Sequence, residues 1–227
     1  MNAPARLTID IWSDVMCPWC IIGYKQLETA LAALAGEIEA DIRWRPFELN
    51  PDMPQGGEDA ARHIMRKYGQ SPSDGAMIQM QAIAQEAGYE MRWLGDGAEP
   101  PRMMWNTRRA HMLLAWALDT AGPAAQGRLK LALFDAHFQQ RRNISDAAVL
   151  AELAGSVGLD EAGALAALAD ETFVRMVEAE EMDAIGKGIN SVPTMLVEGR
   201  FVIPGAQDPE TYAHYLRKVV TRMTHAA

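Results

Sequence analysis

The chain's only cysteines, Cys17 and Cys20, stand three positions apart in Cys17-Pro18-Trp19-Cys20. On a helix that spacing puts both sulfurs on one face, close enough to close a small disulfide ring and to release it again. The pair therefore reads as a reversible two-electron switch. Cys17, at the helix N-terminus, meets unpaired backbone N–H groups that favour the thiolate, which makes it the nucleophile. Cys20, one turn deeper, keeps a higher pKa and resolves a mixed disulfide held on Cys17. Pro18 suits the first helical position, where its missing N–H is not needed. Trp19 places a large indole between the sulfurs. Zinc is a weaker account, because one C-x-x-C supplies half a site. His63, His111, His137, His214 and His225 are too scattered to complete it, so no metal is expected.

Ser191-Val192-Pro193-Thr194 is the second candidate. The dipeptide Val192-Pro193 leaves open a trans proline starting a strand or a cis bond shaping a turn. Asn106, Thr107 and His111 are candidate substrate-binding residues, Thr107 and His111 lying one turn apart; a helix cap and an ordinary histidine are the plainer reading. Asp14 either relays protons or satisfies a loop. The 14 methionines, Met16, Met103, Met104 and Met195 among them, either form an adaptable groove or fill helix cores.

The elements that must position these residues follow from periodicity. Leu7–Ser13 alternates as a strand leading into the cysteines. Cys20, Tyr24, Leu27, Leu31 and Leu34 mark a helix face ending at Gly36, and Asp41–Leu49 reads as a second strand loosened by Pro46. From Gly57 to Gly186 the chain is Ala- and Met-rich with helical period, and Pro100-Pro101 and Gly122-Pro123 break it. One helix there is expected to be capped by Ser145 and closed by Gly158, with Asp160 capping the next. Thr194–Val197 and Arg200–Ile203 flank Glu198-Gly199 as a hairpin. A last helix is capped by Asp208, with Tyr212, Tyr215, Leu216 and Val219 buried. The whole is an α/β fold interrupted by a large all-helical insertion, with 1–55 and 187–227 forming one discontinuous domain and 56–186 the insertion.

Composition limits the function classes. With 21 Lys and Arg against 30 Asp and Glu, the net charge is −9, which disfavours nucleic acid as a partner. No apolar run is long enough for a membrane span, and the first ten residues lack the apolar core of a signal peptide, so no membrane partner and a cytoplasmic location are expected. Stable disulfides are rare in that compartment, which favours a reactive pair over a structural one.

Five segments, SDVMCPWCIIG, RPFELNP, NTRRAHMLL, RRNISDAAVL and GINSVPTMLVEGRFVIPGAQ, resemble in order the DsbA superfamily of thioredoxin-fold oxidoreductases, and within it the cytoplasmic FrnE-like branch. The resemblance implies a thioredoxin domain split by helices, Cys17 and Cys20 as the redox pair, and Pro193 as a cis-proline facing them. It also implies thiol or disulfide partners, either client proteins or small molecules, with glutathione as a thiol co-substrate and no tightly bound cofactor. Exported DsbA oxidants carry a His between the cysteines where Trp19 stands, so a weaker oxidant is expected unless a distant Lys or Arg is folded against the sulfurs. Kappa-class glutathione transferases and 2-hydroxychromene-2-carboxylate isomerases resemble the same architecture, but usually place Ser where Cys17 stands. A glutathione-dependent isomerase or transferase is therefore the alternative.

Overall fold

The alternation of Leu7, Ile9 and Ile11 with polar neighbours builds β1 (Ala5–Ser13), whose inward side chains are buried. In a computed structural model describing residues 3–69 and 73–225, α1 (Pro18–Ala33) follows and crosses over to β2 (Ile38–Pro46), parallel to β1. Gly36, at φ +83°, makes the turn between them, a conformation that glycine adopts without a Cβ clash. Much later in the chain, β5 (Thr194–Val197) pairs antiparallel with β1, and β6 (Phe201–Pro204) pairs antiparallel with β5. The sheet order is β2-β1-β5-β6, and α8 (Pro209–Thr224) packs on α1.

Between β2 and β5 lie α2 (Ala60–Tyr68), α3 (Asp74–Glu86), α4 (Arg108–Phe138), α5 (Ala147–Ser156), α6 (Glu161–Leu168) and α7 (Glu171–Gly186). The strand β1 sits centrally, so its end delivers the cysteines to the junction of two apolar cores. Cys17 and Cys20 belong to the core of the sheet, α1 and α8, while Val15 and Met16 belong to the core of α4, α5 and α6. Arg45 of β2 bonds Asp10 at 2.7 Å and Glu180 of α7 at 2.8 Å, tying the helices to the sheet.

Several expectations need correction. The insertion is not all helical: β3 (Glu58–Asp59) and β4 (Met103–Met104) form a two-residue ribbon, too short to leave a periodic trace in sequence. The second strand ends at Pro46 rather than running to Leu49, because proline has no N–H to continue the ladder. Asp146, not Ser145, caps α5, accepting from Ala148 N and Val149 N. Ser145 instead donates its hydroxyl to the Gln55 carbonyl at 2.9 Å, a contact across 90 residues that local pattern cannot show. Tyr215 is exposed, whereas Tyr212, Leu216 and Val219 are buried as expected. The span 108–138 is two helical halves meeting at Gly122, whose φ of 79° and ψ of 179° are non-helical, which is the break expected at Gly122-Pro123.

Candidate active site

Cys17 is the N-cap residue of α1, and Pro18 occupies the first turn. Both cysteines are free thiols and both are buried, Cys17 at 4% exposure and Cys20 at 0%. Trp19 between them is 41% exposed, so the indole covers the surface rather than the core. The thiols differ in proton affinity more than in exposure. Hydrogen bonding from the Cys20 thiol, then from the Cys20 and Trp19 backbone N–H groups, lowers the Cys17 pKa against burial and the Asp14 charge. Burial, and then the proton shared with Cys17, raises that of Cys20. One negative charge on the pair therefore resides on Cys17.

The peptide bond Val192–Pro193 is cis. The Cys17 Sγ lies 3.9 Å from the Val192 carbonyl oxygen, although 175 residues separate them. The Pro193 carbonyl accepts from Gly205 N at 2.8 Å, which links this loop to the end of β6. Gly23 of α1 fits against it so closely that an added Cβ would lie 3.2 Å from Pro193 Cγ and 3.1 Å from Ala206 Cβ.

Beneath the cysteines is a buried polar cluster. Asp14 is fully buried and accepts from Met16 N at 3.2 Å and Leu49 N at 2.8 Å. Desolvation raises its pKa, against those two bonds, the Lys130 charge and the Thr107 hydroxyl. His111 Nε2 lies 4.0 Å from the Asp14 carboxylate, and burial keeps the imidazole neutral by pushing its pKa well down. Asn106 and Thr107 are also buried. Asn106 donates to the Met53 carbonyl and accepts from Arg108 N, which ties down the chain entering α4. Thr107 and His111 therefore adjoin Asp14, Asn106 anchors the segment ahead of α4, and none of the three lines the cavity that opens beside Cys17.

Lys130 of α4 is the residue that sequence reasoning missed. It is wholly buried, donates to the Ser13 carbonyl at 3.3 Å, and lies 5.1 Å and 5.0 Å from the ring centres of Trp44 and Phe134. Burial brings its pKa down to about 8, against the attraction of Cys20, Asp14 and Cys17. Its signal in the sequence is faint: one lysine in the apolar run Leu129–Phe134. The cation missing from the Cys17–Cys20 dipeptide is thus supplied from a helix 110 and more positions downstream (130 − 20 = 110). Among the described residues, no group of three or more His, Cys, Asp or Glu could hold a metal ion.

A dithiol opening the first helix of a βαβ unit, faced by a cis-proline before an antiparallel hairpin, defines a thioredoxin-fold protein of the thiol–disulfide oxidoreductase class. The chain belongs to the DSBA-like thioredoxin domain family, whose model matches residues 8–217. It is 29% identical to the protein YwbO of Bacillus subtilis (strain 168) over 206 residues, 90% of this chain and 92% of that one. The crystal structure of a probable DsbA oxidoreductase from Streptomyces coelicolor superposes with a TM-score of 0.81 at 28% identity, covering 93% of this chain and 89% of that one. The cytosolic disulfide reductase DsbM from Pseudomonas aeruginosa, solved with GSH, shares the fold at 21% identity and a TM-score of 0.63, over 94% and 99% of the two chains.

Proposed function

We propose that this protein exchanges disulfides with thiol or disulfide partners through Cys17 as nucleophile and Cys20 as resolving thiol. The observation that carries the reading is the asymmetry of the pair: Cys17, at the head of α1 with its Sγ 3.9 Å from the Val192 carbonyl oxygen, has its pKa lowered by hydrogen bonding from Cys20, whereas Cys20 is fully enclosed and burial raises its pKa. The Cys17 thiolate attacks one sulfur of a partner disulfide, the Cys17–partner bond forms, and the first partner thiolate leaves and takes a proton. Cys20 then gives up its proton and attacks the Cys17 sulfur, releasing the second thiolate. The partner is reduced by two electrons, and the Cys17–Cys20 disulfide holds the oxidation. After this forward sequence two molecules of a small thiol such as glutathione return the pair to the dithiol and leave as their own disulfide, without any tightly bound cofactor. The reverse sequence oxidises a partner dithiol and itself leaves Cys17 and Cys20 reduced.

Surrounding groups support each step. Lys130 stabilises negative charge on either sulfur, and the Val192 carbonyl beside Cys17 offers backbone for an extended client to pair with. Pro18 and Trp19 fix the helix start and its exposed cover. The FrnE-like resemblance extends this reading to a cytoplasmic enzyme.

Single-residue variants test it against the glutathione-dependent isomerase or transferase alternative. Cys17→Ser is expected to abolish reduction of hydroxyethyl disulfide, and Cys20→Ser to accumulate a mixed disulfide on Cys17, read by intact mass. If Cys20→Ser turned over a protein disulfide as fast as the parent, the resolving role would be wrong. One thiol would then suffice, as the alternative requires.

A further inference from the structure

A cavity of about 480 Å³ opens beside the redox pair, bounded by Met16 and Pro18, which flank Cys17, and by α2, α3, β4 and the end of α4. Six thioethers line it: Met16, Met77, Met80, Met91, Met103 and Met104. Its charged lining has a single sign. Lys67, Arg102 and Arg141 face it, and no carboxylate among the described residues does, in a chain whose net charge is −9. Lys67 Nζ is held by uncharged oxygens, the Leu49 carbonyl at 3.1 Å and Asn50 Oδ1 at 2.7 Å. Arg102 and Arg141 share one carboxylate oxygen, Glu99 Oε1, at 2.9 Å and 2.7 Å. Among the described residues these three cations thus share one bonded carboxylate. His137 also lines the cavity, and its buried Nδ1 has no partner among the described residues.

We propose that this cavity binds a compact apolar organic acid, its hydrocarbon or aromatic body among the methionines and its carboxylate toward Lys67 and Arg102. A carboxylate gains charge-assisted bonds to those cations that a neutral apolar ligand cannot make, which selects for the acid. The volume is that of a small-molecule site, and flexible thioethers conform to bodies of varied shape. Resting on the reading of Cys17 as the attacking thiol, the cavity makes disulfides that carry apolar acids the preferred substrates.

Binding is measured first, by fluorescence displacement of anilinonaphthalenesulfonate with naphthoate and with naphthylmethanol. Naphthoate is expected to occupy a single saturable site about tenfold more tightly than the alcohol, or better. Lys67→Gln combined with Arg102→Gln should erase that preference and leave alcohol binding unchanged. Met80→Trp, which fills the cavity, should abolish both while circular dichroism reports an intact fold; Met91→Trp serves if it does not fold. Equal binding of acid and alcohol, or binding that survives the filled cavity, would overturn the proposal, as would competition by an unfolded peptide with none by naphthoate. Saturating naphthoate should slow the reaction with dithiobis(nitrobenzoate) and spare that with hydroxyethyl disulfide. If naphthoate fails to bind while both disulfides react, the cavity inference alone falls. If it binds as expected while neither disulfide reacts, the proposed function falls and the cavity stands.

Discussion

Lys130 is a buried cation whose charge bears on its neighbours Cys20, Asp14 and Cys17. A buried ammonium without a dedicated carboxylate hydrogen bond is costly, and its pKa of about 8 expresses that cost. Its attraction for Cys20, Asp14 and Cys17 offsets only part of it. Lys130→Met is therefore expected to raise the pKa of both thiols, and thiolate absorbance against pH measures the shift. Attack at neutral pH should slow by about tenfold if the thiolate loses roughly one unit of stabilisation. The same variant should gain about 1–3 kcal/mol of stability at pH 7, as buried charges replaced by apolar groups often do. Because the folded-state pKa lies below the unfolded one, the destabilisation is fully present below about 8 and fades as pH rises toward the lysine range. The gain from Lys130→Met should fade over that same interval in chemical denaturation.

At the scale of elements, α1 and the proline loop are fitted to each other through Gly23. A side chain there meets Pro193 Cγ at 3.2 Å and Ala206 Cβ at 3.1 Å, and neither atom can swing aside. Gly23→Val is expected to cost about 2 kcal/mol by overpacking and to slow exchange by shifting Pro193 from Cys17. A stopped-flow comparison with the parent, at matched folded fraction, checks the second half. The cap of α5 gives the contrasting case, since Asp146 accepts two backbone N–H groups far from the thiols. Asp146→Ala should cost about 1 kcal/mol in urea denaturation and leave the redox potential of the Cys17–Cys20 couple unchanged.

For the whole molecule, the helical block is held to the sheet by charge as well as by apolar packing. Arg108 Nη2 of α4 lies 2.9 Å from Glu48 Oε1, just beyond β2, and Glu48 N donates to Glu181 of α7 at 3.0 Å. Burial, then the neighbouring Glu181 charge, raises the Glu48 pKa to about 7, with Arg108 pulling it down. A carboxyl whose pKa is higher folded than unfolded contributes stability that declines as pH rises from the ordinary glutamate range through 7. Arg108→Met removes the compensating cation, so it should cost about 2 kcal/mol at pH 8, where Glu48 is ionised, and distinctly less at pH 5, where it is protonated. Calorimetric midpoints at the two pH values decide this.

Sequence by itself determined the dithiol and the order of the main strands and helices, because each rests on local spacing, and five segments in order carried the resemblance to the family. Cys17 and Cys20 are three positions apart whatever surrounds them, and Leu7, Ile9 and Ile11 alternate before any sheet exists. Asp160 and Asp208 cap their helices through backbone N–H groups only three residues away. Only the tertiary structure decided what the thiols face. Val192 approaches Cys17 across 175 residues, and Ser145 bonds Gln55 rather than capping its own helix. Lys130, six methionines and three cations come to the site from segments with no common periodicity. Thr107 and His111 are brought to Asp14 because α4 packs against β2, Asn106 ties down the chain ahead of α4, and all three are buried rather than lining the cavity. Electrostatics and cavity shape depend on distances through space, and a helical or strand period records only neighbours along the chain.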